Sequence, residues 1–293
     1  MIEEIKTIRE AFRQKQISYD TWFFIDLDNM VMKPKLELGG DPWFNAMLKH
    51  ANEMIPEDKH LAFQTVIVIY HELQAHVRTE AVEQDIVGII NAIQDIGIPI
   101  FAITARDAKI STSTARQLRD IGIDFSRNVP KDIHHNGIIY CNGKNKGDNL
   151  KIFFNEIKQL PAHIACFDDK GSHLEDELKI AIQSKVRFNG WRYGFLDEKI
   201  KTFDIKMANQ QLAYIKYRLP QPVQEAIDRL KLIPEDHEMT LSPTHCAHGF
   251  FNDPPSHDLD KGKSNKIKPF LRKHQSDSAI DYTNERDIAT PYS

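Results

Sequence analysis

Trp22-Phe23-Phe24-Ile25-Asp26-Leu27-Asp28 is the stretch on which the fold turns. Four bulky apolar residues stand in a row without polar alternation, the pattern of a strand covered on both faces. A carboxylate follows at once. The same design returns twice: Ile98-Pro-Ile-Phe-Ala-Ile103 runs into Thr104, and Ala162-His-Ile-Ala-Cys-Phe167 runs into Asp168-Asp169. Between these strands, Val82, Ile86, Ile89, Ile93 and Ile96 recur at helical spacing, and Gly97 ends that helix. Further helices are expected over Ser113 to Ile121, around Leu150, Phe153, Phe154 and Ile157, and over Leu174 to Ile182. Gly137 to Cys141 and Lys185 to Phe188 read as shorter strands, the former followed by an Asn142-Gly143 turn. Alternating strands and amphipathic helices predict an α/β fold, a parallel sheet with helices on both faces. Such sheets bind ligands beyond the carboxyl ends of their strands. Asp26, Thr104 and Asp168 each follow a strand directly, so they are expected to share one site.

Outside this frame the pattern changes. Ile5, Ile8 and Phe12 have helical spacing, so Ile2 to Phe12 is read as a helix. Residues 33–80 fit the alternation poorly. Leu38-Gly39-Gly40-Asp41-Pro42 is turn chemistry, Trp43 to Met54 reads as a helix stopped by Pro56, and the β-branched Thr65 to Tyr70 is ambiguous. The stretch is taken as a small, mostly helical insertion after the first strand, with Trp43 and Phe44 read as its core. Helices near Asp204 to Tyr217 and Pro222 to Leu232 form a C-terminal extension. Residues 1–235 are assigned to the core with its insertion. Residues 236–293, rich in Ser, Asn and Pro, are assigned to a flexible polar and basic tail.

Composition excludes several classes. The chain has 293 residues, 41% hydrophobic and 27% charged, the balance of a globular protein. Three cysteines (Cys141, Cys166, Cys246) are too few for a disulfide scaffold and fit a reducing compartment. A net charge of -4 lacks the basic footprint of a nucleic-acid binder. No apolar run approaches the roughly 20 residues of a membrane span, and the N-terminus has no unbroken apolar segment of the secretory kind. A cytoplasmic protein is expected.

Two carboxylates around a strand end, a hydroxyl, a lysine and an acidic pair suit one chemistry. Clustered carboxylates need a cation, and oxygen ligands favour Mg2+. Asp26 and Asp168, with Asp28 and Asp169 beside them, are the expected metal residues. Asp26 can attack phosphorus as a carboxylate nucleophile, and Asp28 can serve as acid and then base. Thr104 and Lys146 can bind the phosphate, by hydrogen bond and by charge. Lys144 competes with Lys146 for that place, and Lys146 is preferred because it directly precedes Gly147 and a helix. Arg106 is read as a structural partner of a carboxylate rather than a phosphate ligand.

This ordered set resembles the four motifs of the haloacid dehalogenase-like (HAD) superfamily over roughly Thr21 to Phe188. The resemblance implies a Rossmann-like core, Mg2+, an aspartyl-phosphate intermediate and phosphatase activity. Asp26 matches the nucleophile, Asp28 the acid/base, Thr104 the second-motif hydroxyl, Lys146 the third-motif lysine and Asp168-Asp169 the metal-binding pair. The presence of Asp28 points away from the dehalogenases and ion-pumping ATPases. Met30 departs from the Thr or Val often found two residues after the second aspartate, a change expected to alter packing more than chemistry. Asp26-Leu-Asp-Asn29, Leu38 to Phe44, Ile103-Thr-Ala-Arg106 and Thr114 to Leu118 look like a bacterial HAD family of unassigned function that includes proteins of intracellular pathogens. That likeness implies a phosphoprotein (phosphotyrosine) or small phosphorylated metabolite as substrate, and export into a host cell as an effector. The rival reading is a non-catalytic module that docks protein or anionic lipid. The basic run from Lys261 to Lys273 would serve a weak membrane contact, although a solvated tail is the plainer reading. His245, Cys246 and His248 are too sparse for a zinc site.

Overall fold

The computed structural model describes residues 1–12, 18–128, 134–233, 246 and 248–251. The central sheet contains β1 (Ile2–Ile5), β2 (Thr21–Ile25), β5 (Ile100–Thr104), β6 (Ile138–Tyr140), β7 (His163–Asp168) and β8 (Arg187–Tyr193). Its order is β1-β8-β7-β2-β5-β6, and every neighbouring pair is parallel. The fold is Rossmann-like α/β. β2 lies between β7 and β5, so the ends of those three strands meet at the centre of one sheet edge.

The unbroken apolar runs have a direct physical reading. Successive strand residues point to opposite faces. In β2, Phe23 and Ile25 enter one core while Trp22 and Phe24 enter the other. β5 splits Ile100 and Ala102 from Phe101 and Ile103, and β7 splits Ala165 and Phe167 from Ile164 and Cys166. The first core is closed by α1 (Ile8–Phe12), α4 (Gln84–Asp95) and Leu118 of α5 (Ser111–Asp120). The second is closed by α6 (Lys146–Ile157) and α7 (Gly171–Gln183). Gly97 and Gly122, at φ 78° and 83°, follow α4 and α5 in the left-handed conformation that glycine adopts without strain.

The N-terminal expectation needs correction. Ile2–Ile5 is an edge strand paired with Gly190–Tyr193, and only Ile8–Phe12 is helical. The helical spacing of Ile5, Ile8 and Phe12 is real, but pairing with β8 decides the first four residues. Tertiary context outweighs a short periodicity here.

Between β2 and α4 lies the insertion: β3 (Met32–Pro34), α2 (Asp41–Met54), α3 (Lys59–His76) and β4 (Thr79–Ala81), with β3 and β4 antiparallel. The ambiguous Thr65 to Tyr70 belongs to α3. Asp58 caps that helix by accepting from Leu61 N, 2.8 Å away. Trp43 and Phe44 are buried core residues, as read.

The insertion does not bury its apolar surface alone. α9 (Ile205–Ile215) and α10 (Gln221–Arg229), which follow the short α8 (Asp197–Lys201), pack on α2 and α3 in a third core. Leu38 N donates to Gln211 Oε1 at 3.0 Å, and His50 Nε2 lies 2.7 Å from Leu230 O. The cap is therefore built from two segments that are far apart in the sequence.

A few residues of the stretch assigned to the tail join this layer. Cys246 and Phe250 are buried in the third core. Phe250 bridges Val77 and stacks on Tyr214, and Phe251 N donates to His76 O at 2.7 Å. The Arg116 guanidinium sits 3.9 Å from the Phe251 ring centre. The low apolar content of residues 236–293 concealed these few anchors. Cys246 is enclosed among apolar side chains and His248 is exposed, while His245 and the Lys261–Lys273 run lie outside the described residues. Among the described residues no helix is long and apolar enough to cross a membrane.

If the 246–251 segment is part of the fold, Phe250→Ala will lower the unfolding free energy by about 3 kcal/mol, the usual cost of truncating a buried aromatic. Denaturant unfolding measures it. A change within about 0.5 kcal/mol, typical of surface sites, would mark the segment as a passenger.

Candidate functional site: a carboxylate and lysine cluster

Asp26 directly follows β2 and its amide donates to Phe167 O of β7 at 2.9 Å. The chain then folds back tightly: Val31 N and Met32 N both donate to Leu27 O. Asn29 takes a left-handed φ of 60° there, and its amide side chain donates to Asp169 Oδ2 at 3.2 Å. Met30 is fully buried in the first sheet core.

Asp168 ends β7, and Lys146 opens α6. Asn145 caps α6 through Asp148 N at 3.0 Å. Gly147 follows, and a Cβ there would come within 2.5 Å of Asp176 O. The close approach of α6 to α7 therefore requires glycine beside Lys146. The lysine Nζ lies 2.6 Å from Asp26 Oδ1 and 2.6 Å from Asp168 Oδ2, and its side chain is 1% exposed. Lys144 is exposed and stands outside this cluster. Thr104 ends β5, almost fully buried, and its Oγ1 accepts from Arg106 N at 3.2 Å. That geometry leaves the hydroxyl proton as the group to be donated.

Asp26, Asp168 and Asp169 can each offer an oxygen within 4.8 Å of the others. All three ligand atoms are hard carboxylate oxygens, so the donor set fits Mg2+. Asp28 lies outside this group, against the expectation that its side chain would join the ligands. Arg106 Nε and Nη2 instead grip its two oxygens, each at 2.7 Å. A guanidinium fork matches a carboxylate in this way. Arg106 is a carboxylate partner, as read from the sequence.

Burial raises the Asp26 carboxyl to about 7, with the charges of Asp168 and Asp28 adding to it and Lys146 opposing. Burial also opposes the Asp168 charge, but Lys146 and His173 outweigh it and hold that carboxyl well below the usual range. Lys146 is raised because Asp168 and Asp26 overcome its own desolvation. The Asp169 carboxyl is pushed well up, first by burial and then by its acidic neighbours. A cation bound among these three would favour their charged forms.

Four further residues escaped the sequence reading. Lys170 N donates to Asp168 Oδ1 at 2.8 Å, and its Nζ lies 3.0 Å from Asp41 Oδ2. Asp41 arrives from the cap at the first turn of α2. Its buried Oδ1 has no hydrogen-bond partner, and burial raises its carboxyl. No local signal in the sequence places Asp41 at the sheet edge. His173 Nδ1 lies 3.1 Å from Asp168 Oδ1. Glu177 was legible in principle, since it interrupts the apolar stripe of α7 between Leu174 and Ile180. It is buried behind Lys146 and against the Cys166 thiol, with neither oxygen in a well-formed hydrogen bond. Burial, then the Asp168 charge, pushes its carboxyl up to about 8.

A parallel α/β sheet with an acidic cluster and a buried lysine at its central strand ends defines the class of protein. The chain belongs to the family described as "Protein of unknown function (DUF2608)", whose profile matches residues 1–221. That span takes in the sheet, the insertion and every residue of the cluster. No curated protein and no solved structure matches the chain.

Glu177 makes stability depend on pH. Its folded pKa is raised, so its contribution is full below the unfolded value of 4.5 and is lost as the pH rises towards about 8. In metal-free buffer, the stability of Glu177→Gln relative to wild type will therefore climb across that window, by at most about 1.4 kcal/mol per pH unit. Urea unfolding at several pH values reads it out. A gap that stays constant with pH would contradict the buried neutral carboxyl.

Proposed function

We propose that the protein is a Mg2+-dependent phosphatase of the HAD type, acting through an aspartyl-phosphate. The observation that carries this reading is Lys146, held 2.6 Å from both Asp26 and Asp168, with the buried Thr104 at the end of the adjacent strand β5. A carboxylate able to act as nucleophile, a fixed cation and a hydroxyl donor at neighbouring strand and helix ends support this reading.

Asp26, Asp168 and Asp169 would hold the metal. When bound, Mg2+ supplies charge neutralisation and polarises a phosphate oxygen. An Asp26 oxygen attacks phosphorus, and the bond from phosphorus to the ester oxygen breaks. Asp28 is the group that passes a proton to the departing oxygen. Water then attacks the phosphorus of the aspartyl-phosphate, Asp28 takes its proton, and the Asp26 carboxylate is restored with release of inorganic phosphate. Thr104 donates to a phosphate oxygen, and Lys146 balances the charge that moves between Asp26 and the phosphate. Fixed donors and charges of this kind account for much of phosphoryl-transfer catalysis.

The substrate class is a phosphomonoester, either a phosphoprotein carrying phosphotyrosine or a small phosphorylated metabolite. The site lies under a cap tied to the core by the Lys170–Asp41 pair. Opening of that pair would admit the ester.

Purified protein will release phosphate from 4-nitrophenyl phosphate with Mg2+ and stop when the metal is chelated. Asp26→Asn will lower kcat by at least about 10³ while the folded spectrum is kept, since loss of a nucleophile removes the covalent route. Undiminished turnover in Asp26→Asn would overturn the assignment.

A further inference from the structure

Arg106 lies two residues beyond Thr104 and is buried to 1% exposure. A buried guanidinium is costly unless its donors are met, and here they are met by parts of the fold that are far apart in sequence. Nε and Nη2 hold the two oxygens of Asp28. Nη1 donates to Gln117 Oε1 at 2.6 Å and Thr114 Oγ1 at 3.1 Å, both on α5. Nη2 also reaches Gln74 Oε1 of α3, in the cap, at 3.4 Å. The main chain of Arg106 joins in: its N–H donates to Thr104 Oγ1, and its carbonyl accepts from Asn142 N, ahead of Lys146.

The cap is gathered on the same group. Gln74 Nε2 donates to Gly39 O at 2.8 Å, on the chain entering α2. Gln117 Nε2 donates to Val77 O at 3.1 Å, and Thr79 Oγ1 donates to Gln117 O at 3.1 Å, on the chain leaving α3. The chain entering α2 and the chain leaving α3 thus both end on the Arg106, Gln74 and Gln117 network. Polar networks with every member satisfied are stiff and fix one arrangement.

We propose that Arg106 is a positioning residue that fixes the Asp28 carboxylate and ties it to the cap through Gln74. In its catalytic part this rests on the phosphatase reading. In its mechanical part it does not. A lysine in its place keeps the charge but not the fork, so it cannot hold two carboxylate oxygens and two helices at once.

The test uses the full chain as wild type, Arg106→Lys, Gln74→Leu and, for reference, Asp28→Asn. Two esters of similar shape are compared, 4-nitrophenyl phosphate and phenyl phosphate. The nitrophenolate departs readily without a proton, whereas phenolate needs the acid more. Arg106→Lys will lose about tenfold more kcat/KM, which reports the step that breaks the ester bond, on phenyl phosphate than on the nitrophenyl ester, and Asp28→Asn will show the same bias, within the usual range for acid catalysis. A residue that merely supports the fold would depress both esters equally, and equal loss overturns the catalytic part.

Hydrogen exchange supplies the second readout. In Arg106→Lys, the amides of residues 27–31 and 74–79 will exchange faster together while β2 and β5 keep their protection. Gln74→Leu will show the same paired change to a smaller degree, and it carries the test if Arg106→Lys fails to fold. Faster exchange in one segment alone, or in neither, overturns the coupling. If wild type hydrolyses neither ester, the phosphatase reading falls together with the catalytic part, and the exchange result still decides the mechanical one.

Discussion

An ammonium group shared by two buried carboxylates sets the terms for everything around it. Each of the three charges would be expensive to bury alone, and breaking such a group by removing one member typically costs about 3–5 kcal/mol. The Lys146 bridge to Asp26 and Asp168 therefore needs strand ends that stay in register, a glycine that lets α6 approach α7, and helices that exclude water on both sides. The parallel sheet supplies the first requirement. β2 and β7 are paired through Phe24–Cys166 and Ile25–Phe167, so Asp26 and Asp168 leave the sheet side by side.

Lys146 and Lys170 face Asp26, Asp168, Asp169 and Asp41, which leaves the site short of positive charge. Asp26 responds by holding its proton to about 7, and Asp169 and Asp41 are also raised by burial. The arrangement gains from an added cation, which is why the acidic cluster and the Mg2+ proposal belong together. Asp28 differs, because Arg106 satisfies it directly. The acidic groups thus divide into a cluster with too little positive charge and a carboxylate paired with Arg106.

What the sequence made legible was local. Apolar runs ending in Asp26, Thr104 and Asp168 located the central strands and the site, because a strand buried on both faces has no alternation to disguise it. Lys146 could be preferred over Lys144 from its place before Gly147. What stayed hidden depended on distant partners. Asp41 and Gln74 reach the site from the cap, and no periodicity shows where a cap will dock. Ile2–Ile5 became a strand because β8 offered an edge. Cys246 and Phe250 are too few to lift the apolar content of their segment, yet each fills a place in the cap core. Glu177 was in view as a carboxyl on an apolar stripe, and its meaning emerged only with Lys146 and Asp168 beside it.

The most direct test of the central claim is where the phosphoryl group goes. Asp28→Asn protein, which should form the covalent species but hydrolyse it slowly, would be mixed with 4-nitrophenyl phosphate and Mg2+, quenched in acid and mapped by peptide mass spectrometry. The account predicts phosphate on Asp26 and on no other residue. Turnover by the wild type without any phosphorylated Asp26 in the quenched variant would contradict it.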